Sequence, residues 1–217
     1  MALGISSPGS HLDRLVSKDT GRLGVFGGSF DPIHIGHLIV AEEARAHLNL
    51  DRVLFVPAGV SPLKPEGTLF SPAERLRMVE LAIEDNPLFD VSSVELRREG
   101  PSYTVDTLGT IRRELCDEVQ LFFIMGADAL KTLNSWYRPR DIIRMARIVA
   151  ISRPGANLNL QALEEDLPGI SEATDIIDTL QIGISSTDLR SRLEGGLPIK
   201  YQVPAPVEAY IHTHWPP

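Results

Sequence analysis

The stretch Leu23-Gly24-Val25-Phe26-Gly27-Gly28-Ser29-Phe30-Asp31-Pro32-Ile33-His34-Ile35-Gly36-His37 decides how this chain reads. Leu23 to Phe26 is a short apolar run of the kind that forms a buried strand. Gly27 and Gly28 follow at once, and glycine lets a main chain approach a ligand closely or take φ > 0. A helix is expected to start near His37, and its unpaired N–H groups beside the turn make an anion site. His34 and His37 stand three residues apart, so a helical start puts both rings on one side. Neutral or protonated, each ring can donate to phosphate oxygen. Strand, glycine turn and paired imidazoles together point to a nucleoside triphosphate.

Two commoner phosphate loops are excluded, since neither Gly-Lys-Ser/Thr nor Gly-x-Gly-x-x-Gly occurs here. Two histidines could also be half of a zinc site, but no Cys or Glu stands at matching spacing. Phosphate contact is the better reading.

Outward from this turn, strand and helix patterns alternate. Strands are expected over residues 23–26, 52–57, 119–125, 147–152 and 175–182, and helices over 37–48, 72–84, 103–115 and 139–145. Ser71-Pro72-Ala73-Glu74 carries a capping-box pattern with proline at the first helical position. The strands are apolar on both faces, as in a sheet covered on either side. The predicted fold is α/β: a doubly wound Rossmann-like parallel sheet with helices on both faces. Residues 204–214 should add a last helix in a small C-terminal helical subregion. Residues 59–70 read as a surface loop, and 157–171 as a polar, acidic insertion with one short helix. Ligands in such sheets sit beyond the carboxyl ends of the strands. Gly126-Ala127-Asp128 follows the strand at 119–125, so it lands on the same edge as Gly27 and Gly28.

At 217 residues the chain fits one domain, placed at 22–217. Residues 1–21 hold no sustained apolar run and are expected to be a mobile extension or a misassigned start rather than a signal peptide or membrane anchor. A net charge of −8 argues against a nucleic-acid groove but not against a nucleotide substrate. The one cysteine, Cys116, allows no internal disulfide and suits a reducing cytoplasm. It follows a helix-like run and is expected to pack rather than react.

The turn resembles the (H/T)-x-G-H signature of the nucleotidyltransferase superfamily, to which class I aminoacyl-tRNA synthetases also belong. Ile184-Ser185-Ser186-Thr187-Asp188-Leu189-Arg190 resembles the I-S-S-T-x-x-R motif of its adenylyltransferase branch. Between them stand Gly100-Pro101-Ser102-Tyr103-Thr104-Val105-Asp106-Thr107-Leu108, Gly126-Ala127-Asp128, Ser135-Trp136-Tyr137 and Ser152-Arg153-Pro154-Gly155. Their order is similar to that of bacterial nicotinate-mononucleotide adenylyltransferases, and the likeness spans roughly residues 23–210.

That resemblance implies transfer of the adenylyl group of ATP to nicotinate mononucleotide, giving nicotinate adenine dinucleotide and pyrophosphate in NAD biosynthesis. His34, His37 and Arg190 would be catalytic. Gly27, Gly28, Ser29, Phe30, Lys64, Ser185, Ser186 and Thr187 would join them around ATP. Ser29, Phe30, Tyr103, Thr104, Gly126, Asp128, Trp136 and Tyr137 would hold the mononucleotide, with Trp136 stacked on the pyridine and Asp128 on ribose hydroxyls. Mg²⁺ would arrive with ATP, with no protein ligand. The partners would be these small molecules alone, with neither nucleic acid nor membrane, and a homo-oligomer is compatible with the reading.

From the residues alone, Ser185 to Thr187 also read as an N-cap before Leu189 and Leu193, Asp128 as a cap and Trp136 as core. One departure stands out: where the family often has Pro-Pro-His-Lys, this chain has Ser61-Pro62-Leu63-Lys64. Lys64 keeps the charge, while Leu63 cannot donate a hydrogen bond. Rival readings are an adenylyltransferase acting on nicotinamide mononucleotide or phosphopantetheine, and a nucleotide-binding protein without catalysis. A tRNA synthetase fits poorly, since the chain is short, acidic and lacks a Lys-Met-Ser-Lys-Ser-like loop.

Overall fold

Along each inner strand, side chains alternate between two apolar layers. Leu23 and Val25 face one layer with Leu121, Phe123 and Met125, while Phe26 faces the other with Phe122 and Ile124. This period of two, buried on both sides, is what a helix-covered parallel sheet demands. The computed structural model describes residues 21–60, 67–152, 159–179 and 182–215.

Among these, six strands form one sheet in the order β3-β2-β1-β4-β5-β6. They are β1 (Arg22–Gly28), β2 (Arg52–Pro57), β3 (Phe89–Val91), β4 (Gln120–Gly126), β5 (Arg147–Ser152) and β6 (Thr174–Asp178). Every neighbouring pair is parallel. The order reverses between β1 and β4, which sets the switch point of the doubly wound sheet at the two glycine-bearing strand ends.

One layer is built from α1 (Ile35–His47), α2 (Pro72–Ile83), α7 (Ser186–Glu194) and α8 (Ala205–His214). The other holds α3 (Thr104–Glu114), α5 (Pro139–Met145) and α6 (Leu160–Asp166), with α4 (Ala127–Leu130) and a 3₁₀ turn at Leu133–Ser135 after β4. The capping box at Ser71 forms as expected. Ser71 Oγ accepts from Glu74 N–H at 3.3 Å, and Glu74 Oε2 accepts from Ser71 N–H at 2.8 Å.

Two expectations need correction, and one strand was not expected. Of the run at 175–182, the strand covers Thr174–Asp178 and Thr179 stands outside it, while residues 180 and 181 lie outside the described residues. Cys116 is exposed, not packed. Val105, Leu108, Ile111 and Leu115 carry the apolar stripe of α3, and Cys116 falls just off it in a turn closed by Val119 N–H. The strand β3 escapes a periodicity reading because it is three residues long. Lys64, its loop neighbours Ser61, Pro62 and Leu63, and Arg153-Pro154-Gly155 lie outside the described residues.

Candidate active site

The end of β1 and the start of α1 are joined by a turn with a strained residue. Phe30 has φ +47, in the left-handed region that a bulky side chain enters at a cost of about 1–3 kcal/mol. Its ring is buried against Phe26 at 5.5 Å and makes a T-shaped contact with His37 at 5.0 Å, both between centroids. Only the peptide of Phe30 is therefore left to meet a ligand. Asp31 follows, also buried. Its Oδ1 accepts from Phe70 N–H and its Oδ2 from Leu69 N–H, both at 2.9 Å.

His34 precedes α1 and His37 lies in its first turn, with the two rings stacked at 3.7 Å. His34 N–H donates to His37 Nδ1 at 3.2 Å. An accepting Nδ1 assigns the proton of a neutral His37 to Nε2, which becomes a donor. Gly36 makes room for this pair, since a Cβ there would come within 3.0 Å of His34 Nδ1. That nitrogen is buried and has no hydrogen-bond partner among the described residues.

Burial lowers the pKa of His34 from 6.5 to about 4. Between these values the unfolded chain binds the proton more readily than the folded one. The contribution is therefore fully present above pH 6.5 and is lost as pH falls towards 4, with a ceiling of about 3 kcal/mol. Thermal unfolding at pH 7 and pH 4.5 should show a smaller acid-induced loss in His34→Gln than in the parent. Equal losses in the two proteins would contradict the shift.

Two cavities open on this edge of the sheet. The larger, about 520 Å³, is bordered by Gly27, Gly28 and Ser29 on one side and by Tyr103, Thr104, Trp136 and Tyr137 on the other. Trp136 meets Phe123 edge-on at 6.4 Å, and its Nε1–H donates to Thr132 Oγ1 at 3.3 Å. Tyr103 and Tyr137 lie 4.7 Å apart. The smaller, about 310 Å³, runs from His34 and His37 past Ile151, Ser152 and Thr179 to Ile184. Phe26 and Gly126 border both cavities.

Several expected contacts are turned elsewhere. Ser185 Oγ caps α7 by accepting from Asp188 N–H at 3.0 Å, as the plain capping reading expects. Ser186 Oγ donates to the Pro32 carbonyl at 3.0 Å. Arg190 donates to the Asp31 carbonyl at 2.9 Å and to Asp31 Oδ2 at 3.3 Å, and also to Thr187 Oγ1. The second motif is thus tied onto the first, but Ser185, Ser186, Thr187 and Arg190 border neither cavity. Asp128 is exposed and pairs with Lys131 at 2.8 Å, one helical turn away.

Glu95 was not foreseen. It is buried beside the larger cavity and accepts from Thr107 Oγ1 at 2.8 Å. Burial raises its pKa, and the bond from Thr107 opposes that rise. The one cue in the sequence was an acid between two apolar residues, Val94-Glu95-Leu96.

Among the described residues, no group of three or more His, Cys, Asp or Glu is arranged to hold a metal ion, and no helix is long and apolar enough to cross a membrane.

Comparison with known proteins gives the family of the chain. The cytidylyltransferase-like family model matches residues 25–192. A protein of Roseiflexus sp. (strain RS-1), named "Probable nicotinate-nucleotide adenylyltransferase", is 49% identical over 192 residues, covering 88% of this chain and 96% of its own. A Thermomicrobium roseum protein of the same name is 45% identical over 193 residues, with 89% and 90% covered. In structure, the Plasmodium falciparum nicotinic acid mononucleotide adenylyltransferase complexed with NaAD superposes with a TM-score of 0.70 at 19% identity, covering 89% of this chain and 95% of that one. At that identity the superposition speaks for the fold alone. With sequence identity near one half along almost the whole length, the chain belongs to the nicotinate-nucleotide adenylyltransferase family, within the cytidylyltransferase-like fold.

Proposed function

We propose that the chain transfers the adenylyl group of ATP to nicotinate mononucleotide, releasing pyrophosphate and forming nicotinate adenine dinucleotide. The observation that carries this reading is the meeting of two unlike cavities at Phe26 and Gly126, beside the histidine pair. A dinucleotide product needs two base pockets with its phosphates between them. The larger cavity, walled by Trp136, Tyr103 and Tyr137, suits the pyridine, and the first turn of α3 at Thr104 offers helix-start amides to its carboxylate. The smaller one, lined by Ile151 and Ile184, suits adenine.

The 5′-phosphate of the mononucleotide is already an anion at neutral pH, so its attack on the α-phosphorus needs no strong base. The work left to the protein is alignment and neutralisation of charge. His37 would donate from Nε2 to phosphate oxygen, and the positive end of the α1 dipole would add to it. Mg²⁺ enters as part of the substrate, on the triphosphate and its water. Arg190 and the Ser185–Thr187 turn act in this reading by fixing Asp31 and Pro32, and reach phosphate only after a local turn of their side chains.

A pyrophosphate-release assay with MgATP tests the reading, comparing nicotinate mononucleotide, nicotinamide mononucleotide and phosphopantetheine. Strong preference for the nicotinate form supports it. Preference for another acceptor would discard the pyridine-acid pocket, and silence with all three would leave a binding protein. Trp136→Ala should raise the KM for the mononucleotide about tenfold or more, with that for ATP nearly unchanged, as loss of one stacked ring predicts. A larger effect on ATP would misplace the pyridine.

A further inference from the structure

Under the floor of the larger cavity lies a charge that the reaction scheme does not use. Arg75 sits on α2 among Met78, Val79, Ala82 and Ile83, on the buried face of that helix, and is only 1% exposed. Its Nη1 donates to the Ser29 carbonyl and its Nη2 to the Ala58 carbonyl, each at 2.7 Å. Among the described residues its Nε has no partner and it forms no ion pair, while Asp31 and Glu95 act on it through space.

The two carbonyls are informative. Ser29 ends the β1 turn, Ala58 follows β2, and both border the larger cavity. A trans peptide is planar, so fixing the Ser29 carbonyl turns the Phe30 N–H to the opposite side. The same peptide leads directly into the strained φ of +47 at Phe30. Such a conformation persists only where its surroundings over-determine it. The 58–59 peptide is gripped at both ends, its carbonyl by Arg75 and its N–H by Glu95 Oε2 at 3.4 Å. Gly59 permits that grip, because a Cβ there would lie 2.6 Å from the Glu95 carbonyl oxygen.

We infer that Arg75 is a positioning residue for adenylyl transfer: its fork holds the ends of β1 and β2 in register, so the Gly28-Ser29-Phe30 turn faces the mononucleotide phosphate. The inference rests on the reaction proposed above. A buried arginine kept for packing alone would be replaceable by an apolar side chain of like volume, which is often neutral for stability. A fork that sets two peptides would not, and lysine, with a single ammonium, would restore it only in part.

The test compares the parent, Arg75→Met and Arg75→Lys in steady-state kinetics at 25 °C, with thermal unfolding alongside. Misplacement of a reacting group by about 1 Å costs on the order of a hundredfold. Arg75→Met should therefore lose about a hundredfold in kcat/KM for the mononucleotide, and Arg75→Lys about tenfold, with the KM for ATP within about twofold. A crystal structure of Arg75→Lys should show Phe30 leaving the left-handed region or the turn shifted. Folded variants with parental kcat and mononucleotide KM, and Phe30 unmoved, would overturn the role. If Arg75→Met does not fold, Arg75→Lys decides on the same readouts. An inactive parent would sink the reaction itself, and the crystal structure would still judge the hold on Phe30.

Discussion

His37→Ala should lower turnover by about 10²–10³-fold while leaving the protein folded. The size follows from removing one preorganised donor aimed at developing charge. The ring is held on three sides: Nδ1 takes the His34 N–H, one face stacks on His34, and the Phe30 ring crosses it in a T-shaped contact with centroids 5.0 Å apart. A donor fixed in this way needs no reorganisation when the triphosphate reacts. The stability cost should be small, on the order of 1 kcal/mol for one lost bond at a helix start. A chain of this length would then melt about 2–4 °C lower. Single-turnover kinetics at saturating MgATP separate the two effects, and near-parental turnover would remove His37 from the chemistry.

The largest stability effect should come from Asp31→Ala. Both carboxylate oxygens are committed, to the amides of Leu69 and Phe70 and to Arg190, and Asp31 itself is buried. Truncation leaves buried donors and part of a guanidinium without an acceptor. Losses of this kind run to about 3–5 kcal/mol. At about 2–4 °C per kcal/mol, the melting temperature should fall by about 6–20 °C. Asp31→Asn, which keeps one acceptor oxygen, should lose less. A drop below about 2 °C in Asp31→Ala would mean that the turn is held without its carboxylate.

How much of this was legible beforehand depends on the range of the interactions. The β1 strand, the Ser71 cap and the His34–His37 pair are set by residues within a few positions of one another, and sequence spacing carries that information. The alternation of apolar strands with helical periods carried the sheet and its covering layers. Arg75 was different: its carbonyl partners are 46 and 17 residues away, and nothing in the sequence names them. Its only trace was an arginine on the apolar stripe of α2. Arg190 was legible as a fixed cation but not in direction, since its main acceptor, Asp31, is 159 residues upstream. Trp136 reads equally well as core or as ligand face from its neighbours, and in the fold it packs against the core and also borders the larger cavity. Cys116 went wrong by one position, because a stripe ends where the helix does.

The central claim is that one edge of the sheet holds both halves of a dinucleotide, with the glycine turn and the histidine pair between them. A crystal structure with nicotinate adenine dinucleotide tests it most directly. The account predicts the pyridine against Trp136 and Tyr103, adenine between Ile151 and Ile184, and the pyrophosphate across Gly28, Ser29 and His37. A dinucleotide bound in the reverse sense, or clear of His34 and His37, would contradict it.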